Sequence, residues 1–213
     1  MGKIIYPAQL KYIESFRDEK DPLISEMEEY AHENGVPILS WQAAEFLEQL
    51  IKIIRPKRAL EIGTAIGYST IRIARNLPKK SVVHTLEKSE DNIALAADFI
   101  ERSGQSNKIE IMAGNALHLM PRLDKKYDFI FLDADKEDYK RLFDYSMILL
   151  KRGAVIFVDN LLWSGYAGGK TVPSTHRSST KHIRDFNKMF MYQRNLKTSI
   201  LPIGDGVGIG IKN

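Results

Sequence analysis

The sequence predicts an α/β fold: a mostly parallel seven-stranded sheet with a C-terminal antiparallel hairpin and a helical N-terminal part. Three observations carry this. From Arg58 onward, short apolar runs alternate with amphipathic stretches, the pattern of βαβ units whose strands are covered on both faces. Two glycines, Gly63 and Gly67, follow the first apolar run, where a strand would turn into a helix. Near the end, Ser199–Ile203 and Val207–Ile211 flank Gly204-Asp205-Gly206, which reads as a hairpin turn.

In chain order, residues 3 to about 54 read as helical. Asp21-Pro22 supplies an N-cap followed by proline at the first helical position, and Gly35-Val36-Pro37 ends that helix. Ala43 to Ile54 then carries Phe46, Leu47, Leu50, Ile51 and Ile54 at helical spacing. Strands are expected at Ala59–Ile62, Val82–Leu86, Ile109–Met112, Phe129–Leu132 and Ala154–Val158, with helices around 69–76, 89–103, 116–122 and 137–150. A length of 213 residues suits one α/β domain and is short for two. The expected division is a single domain over 1–213, with a helical part at 1–56 and the sheet-bearing core at 57–213.

There is no cysteine, which excludes disulfides, thiolate metal sites and cysteine nucleophiles. Charges interrupt every apolar run of the N-terminal stretch, so neither a secretory signal nor a bilayer span is expected, and the protein reads as cytoplasmic. A formal net charge of +4 leaves room for a polyanionic partner such as RNA and equally describes a solvated surface.

After the first strand comes Glu61-Ile62-Gly63-Thr64-Ala65-Ile66-Gly67-Tyr68-Ser69. Ala65 and Ile66 stand where a dinucleotide-binding G-x-G-x-x-G needs its middle glycine for close approach to a pyrophosphate, which counts against NAD or FAD. A sulfonium amino acid makes no such demand. Glu61 is placed to bond a methionine ammonium or a water near it. Glu87 ends the second strand 20 residues past Gly67, the spacing of an acid that grips ribose hydroxyls. Ala113-Gly114-Asn115-Ala116, at the end of the third strand, would border an adenine. The glycines alone require only a turn; with Glu61 and Glu87 they point to a nucleoside cofactor.

The fourth strand ends in Leu132-Asp133-Ala134-Asp135-Lys136 and the fifth in Val158-Asp159-Asn160. Ligands of open α/β sheets bind beyond the carboxyl ends of the strands, so Asp133 and Asp159 should face one crevice. Two carboxylates and an amide form an all-oxygen set suited to Mg²⁺ or Mn²⁺. Asp135 is expected to cap a helix beginning near Lys136. Lys136, three residues after Asp133, is placed to accept or hold an acceptor proton. His84, His118, His176 and His182 are scattered and read as structural or solvated.

Leu39, EIGTAIGYS, Glu87, LDADK, DN and the closing PIGDG together resemble the metal- and S-adenosylmethionine-dependent O-methyltransferases related to the catechol and caffeoyl-CoA enzymes. The resemblance extends over essentially the whole chain. It implies a Rossmann-like class I methyltransferase fold, with Asp133, Asp159 and Asn160 as metal ligands and Lys136 as the catalytic base. It implies that Leu39, Glu61, Gly63, Tyr68, Ser69, Glu87, Asn115, Ala116 and Asp133 line S-adenosylmethionine. It also implies a homodimer, with the N-terminal helices available for the contact. VPI, LEIGTAIGYS, DN-LW-SG and ILPIGDG look closest to the bacterial branch that methylates 5-hydroxyuridine in tRNA.

A metal-chelated acceptor needs two neighbouring oxygens, and both catechols and 5-hydroxyuridine have them. Leu161–Arg184 carries Lys170, Arg177, Lys181 and Arg184 with no Asp or Glu, and reads as a mobile basic loop for the phosphates of a tRNA anticodon stem-loop. Trp41, Tyr139 and Trp163 are candidates to stack on a base or wall a small ring, whereas Tyr127 and Phe131 should fill the core. The first expectation is a tRNA 5-hydroxyuridine O-methyltransferase forming 5-methoxyuridine at the wobble position. The alternative is a small-molecule catechol-type, caffeoyl-CoA-like O-methyltransferase.

Overall fold

The structure, a computed structural model, describes residues 6–213, so the first positions of the expected helical stretch, 3–5, lie outside it. Within the described part that stretch divides into α1 (Pro7–Glu14), α2 (Pro22–Asn34) and α3 (Trp41–Ile54). The Asp21 carboxylate accepts from the N–H groups of Leu23 and Ile24, and Gly35 closes α2 in the left-handed conformation at φ 64°. Ser40 caps α3, which buries Ala43, Ala44, Leu47 and Ile51. No described helix is long and apolar enough to cross a membrane.

Seven strands follow: β1 (Arg58–Ile62), β2 (Val82–Glu87), β3 (Ile109–Ala113), β4 (Tyr127–Leu132), β5 (Leu150–Val158), β6 (Leu196–Leu201) and β7 (Val207–Lys212). They form one sheet in the order β3-β2-β1-β4-β5-β7-β6, parallel through β5 and antiparallel at β7 and β6. Side chains alternate across it. Phe129, Phe131, Val155 and Phe157 pack on one face with α3. Ile130, Leu132, Ile156 and Val158 pack on the other with α7 (Tyr139–Leu149) and α8 (Arg177–Met191). Tyr127 and Phe131 are buried, as expected. This is a Rossmann-like arrangement, closed by the antiparallel hairpin.

Several boundaries differ from expectation. β6 stops before Pro202, which has no N–H to donate to the ladder. β5 begins at Leu150, four residues early, through a bulged pairing with Tyr127. α7 begins at Tyr139, and Asp135 does not cap it but pairs with Lys88 at 2.6 Å. The largest correction is α8, which occupies much of the segment read as a mobile loop. Thr180, Ile183, Phe186 and Phe190 form its buried stripe.

Candidate active site

The chain leaves β1 outward through β2 and β3, then returns to place β4 on the other side of β1. Such a reversal opens a crevice at the carboxyl ends of the two central strands. A cavity of about 710 Å³ lies there. The ladder continues one step past the strands. Gly63 N–H donates to Leu86 at 3.1 Å, Asp133 N–H to Ile62 at 3.0 Å and Asp159 N–H to Leu132 at 3.1 Å. These bonds set Gly63, Asp133 and Asp159 side by side at one level. A Cβ on Gly63 would stand 1.9 Å from the Asp133 carbonyl oxygen, so this turn requires glycine.

Of the residues expected to meet the cofactor, Gly63, Glu87, Asn115, Ala116 and Asp133 line this cavity. The Glu87 carboxylate is clamped by the N–H groups of Ala65, Lys88 and Ser89, each at 2.9 Å. Asn115 caps the short helix α6 (Ala116–Leu119), accepting from Leu117 N–H at 2.9 Å.

The other expected contacts lie behind the wall. Leu39 is in the core, and its neighbours Pro37 and Ile38 take the cavity face. Glu61 is fully buried and accepts from the hydroxyls of Ser69 at 2.6 Å, Thr85 at 2.6 Å, and Thr70. Desolvation pushes its carboxyl up to about 7, against the pull of those three hydroxyls. Ser69 is thus spent on Glu61. The Tyr68 hydroxyl donates to Glu28 at 2.6 Å beneath the Arg72 guanidinium. These side chains brace the first turn of α4 (Tyr68–Asn76) from below.

Lys136, Asp159, Asn160 and Trp163 line the same cavity beside Asp133. The Lys136 Nζ lies within hydrogen-bond reach of four oxygens, Tyr139 Oη at 2.6 Å, Asn160 Oδ1 at 2.7 Å, Asp133 Oδ1 at 3.0 Å and the Ala134 carbonyl at 3.1 Å, among which its three N–H groups are shared. Tyr139 is fully buried and donates to the Asp159 carbonyl at 3.1 Å, so it is a hydrogen-bonding support rather than a stacking wall. Asp159 is 3 % exposed, and its Oδ1 has no hydrogen-bond partner. Burial, and after it the nearby Asp133, pushes the Asp159 carboxyl well up. Asp205, which the sequence reading passed over as part of a turn, approaches Asn160 and is raised mainly by burial.

A divalent cation fits this group on two grounds. Lys136 is paired with Asp133, while Asp159 and Asp205 are buried nearby and held above the usual carboxylate range, so a bound cation would favour their charged forms. An orphaned carboxylate oxygen sits among hard oxygen donors. Among the described residues no three His, Cys, Asp or Glu side chains converge as a metal cage, so the set depends on the Asn160 amide oxygen.

The remaining expected substrate residues separate. Trp41 lies outside the cavity, with Arg17 5.2 Å above its ring. Lys170, Arg177 and Lys181 line a different hollow of about 310 Å³, shared with Arg184, Asp185 and Lys188. Ser179 borders the first cavity and Thr180 the second, so both open on the first turn of α8. The segment before α8 is tied down. Arg184 donates to the carbonyls of Tyr166 at 2.9 Å, Ala167 at 3.0 Å and Gly169 at 2.5 Å.

A Rossmann-like sheet with this glycine turn and these strand-end acids is the framework of a methyltransferase. The sequence model of the O-methyltransferase family matches residues 14–213, and the chain belongs to that family. Caffeoyl-CoA O-methyltransferase 1 of Arabidopsis thaliana is 34% identical over 192 residues, covering 84% of this chain and 72% of the relative. A Staphylococcus aureus structure described provisionally as a caffeoyl-CoA O-methyltransferase superposes with a TM-score of 0.90 at 32% identity, over 97% of this chain and 100% of that one. An O-methyltransferase from Bacillus cereus in complex with SAH gives a TM-score of 0.83 at 28% identity, over 96% and 97%.

Proposed function

We propose that this protein transfers the methyl group of S-adenosylmethionine to a hydroxyl of a small catechol-type acceptor whose two neighbouring oxygens are held by a divalent cation. The observation that carries the reading is the convergence of Asp133, Asp159, Asn160 and Lys136 in one cavity with Glu87 and the glycine turn. Relatedness to caffeoyl-CoA O-methyltransferases supports the acceptor class, and the SAH-bound Bacillus cereus relative supports the donor.

Glu87, fixed by three backbone N–H groups, keeps a lone pair on Oε2 for a ribose hydroxyl. Asp133, Asp159 and the Asn160 oxygen would hold Mg²⁺ or Mn²⁺, which would lower the pKa of the acceptor hydroxyl and orient it. The Lys136 ammonium stands among these oxygens and pairs with the acceptor oxygen, whose proton passes to solvent. Trp163 walls the acceptor ring. A C–O bond forms in line with the S–C bond that breaks, and holding both reactants in one cavity removes the entropic cost of their meeting. Catechol methylation should vanish with EDTA and return with Mg²⁺ or Mn²⁺. Asp159→Ala should lose turnover while keeping most S-adenosylmethionine affinity. Full activity in a thoroughly chelated sample would refute the cation's part.

A second reading has its own observation. The basic hollow on the first turn of α8 favours an acceptor carried on a polyanion, namely 5-hydroxyuridine at the tRNA wobble position. Nucleoside mass spectrometry of tRNA from a deletion strain separates the two. Accumulated 5-hydroxyuridine with lost 5-methoxyuridine supports tRNA, and unchanged nucleosides leave the catechol reading.

A further inference from the structure

The turn joining β6 to β7 reaches the loop that carries Asn160 and Trp163. Asp205 Oδ1 accepts from the Ser164 N–H at 2.5 Å, and its Oδ2 lies 3.5 Å from Asn160 Nδ2. The backbones dock as well. Leu162 N–H donates to the Asp205 carbonyl at 2.9 Å and Leu161 N–H to that of Gly206 at 2.8 Å. A Cβ on Gly206 would stand 2.4 Å from Leu162 Cγ, so the two segments touch without room for a side chain. The docked loop needs support, because Asn160, Trp163 and Ser164 have φ of 59°, 49° and 52°, which non-glycine residues adopt at a cost.

An amide has two unlike faces. Its oxygen can hold a cation and its nitrogen cannot. The group that Asn160 turns to Asp205 is Nδ2, which lies 3.5 Å from a carboxylate oxygen. That leaves Oδ1 toward the Lys136 Nζ at 2.7 Å, the side of Asp133.

We propose that Asp205 is a positioning residue that turns the Asn160 amide oxygen toward the cation site and holds the left-handed turn behind Trp163. The inference rests on Asp133, Asp159 and Asn160 being the cation ligands. Asp205→Asn is nearly isosteric. Its oxygen can keep the Ser164 bond, but its NH₂ then opposes the Asn160 NH₂, and the Asn160 amide turns over. Mn²⁺ binding, followed by paramagnetic resonance of the free ion, should weaken by about tenfold or more, the usual scale for losing a support behind a ligand. Calorimetric affinity for S-adenosylmethionine should stay at the parental value. Adding Asn160→Asp to that variant should restore Mn²⁺ affinity, because a carboxylate offers oxygen on either face. Loss of a merely structural contact would not be repaired by that second change. Parental Mn²⁺ affinity in Asp205→Asn, or no recovery in the double variant, would overturn the proposal. If the parent takes up no Mn²⁺, the cation reading fails, and the orientation is judged by nuclear magnetic resonance alone. A cross-peak between the Asn160 side-chain amide and the Ser164 N–H, present in the parent and absent in Asp205→Asn, upholds it. A parent spectrum without that cross-peak overturns it.

Discussion

Replacing Glu61 by glutamine probes how the carboxylate beneath the glycine turn is held. Burial pushes its pKa from 4.5 up to about 7, with the hydroxyls of Ser69, Thr70 and Thr85 opposing the rise and Asp133 adding to it. A rise of ~2.5 units favours the neutral form by ~3 kcal/mol in the folded protein. Because the folded pKa is raised, this stability is fully present below about 4.5 and is lost as the pH climbs through about 7. Glutamine keeps the shape and never carries the charge. It offers one acceptor oxygen in place of two, so a hydroxyl must turn round to accept from its NH₂, at a cost of about 1 kcal/mol. The variant should therefore be about 2 kcal/mol more stable than the parent at pH 8, and no more stable than the parent at pH 5. Urea unfolding of both proteins at pH 5, 6, 7 and 8, in EDTA and without S-adenosylmethionine, reads the difference directly. A stability difference that stays constant across this range would refute the reasoning, because it would mean that no proton is taken up at Glu61 on folding.

Glu87→Ala should weaken S-adenosylmethionine binding by about 1–3 kcal/mol by calorimetry, the scale for hydrogen bonds to a charged group; unchanged affinity in a folded variant removes Glu87 from the site. Gly63→Ala forces a Cβ against the Asp133 carbonyl, so chemical denaturation should show a loss of about 2 kcal/mol or more, and a fully stable variant would mean that β1 and β4 can part at their ends. Changing Lys170, Arg177 and Lys181 together to alanine should leave S-adenosylmethionine affinity intact. If the tRNA reading holds, the same variant binds tRNA weakly, with a salt dependence flatter by roughly one unit of slope per charge in filter binding; a parent without tRNA affinity discards that reading.

The parts of this fold that were legible in the sequence share a physical reason. Strands β1, β4 and β5 are covered on both faces and so read as unbroken apolar runs. The acids Asp133 and Asp159, which line the cavity, stand just past the ends of β4 and β5, where polarity returns abruptly. Lys136 follows Asp133 by three residues and Asn160 follows Asp159 directly, so spacing along the chain already brings them together. Helix α8 was less legible because its exposed cations dominate its composition. Its apolar period, at Ile183, Phe186 and Phe190, was present all the same. The aromatic side chains fared worst. Nothing near Tyr139 or Trp41 tells which way the ring points. One proves to be packed edge-on against Phe186 at 5.2 Å, and the other to lie beneath Arg17.

Support from distant elements leaves still less trace. A charged residue inside a buried strand, such as Glu61, reads naturally as a ligand contact, because burying a carboxylate demands a compensating partner. That demand is met inside the fold, by partners that no local signal names. The partners are hydroxyls on α4 and on the neighbouring strand β2, and Thr85 stands 24 residues away. Asp205 shows the same limit from the other side. As the middle of Gly-Asp-Gly it satisfies everything a turn requires, so nothing local suggests a second duty. Its contact with Asn160 spans 45 residues and exists only because β7 pairs with β5 antiparallel, bringing the hairpin turn up to the carboxyl end of β5. The hairpin that distinguishes this sheet from an ordinary dinucleotide-binding one thus delivers a carboxylate to the back of the loop that carries Asn160 and Trp163. With Asp205 as the proposed positioning residue, the antiparallel end of the sheet would bear on the chemistry as well as on the closure of the fold.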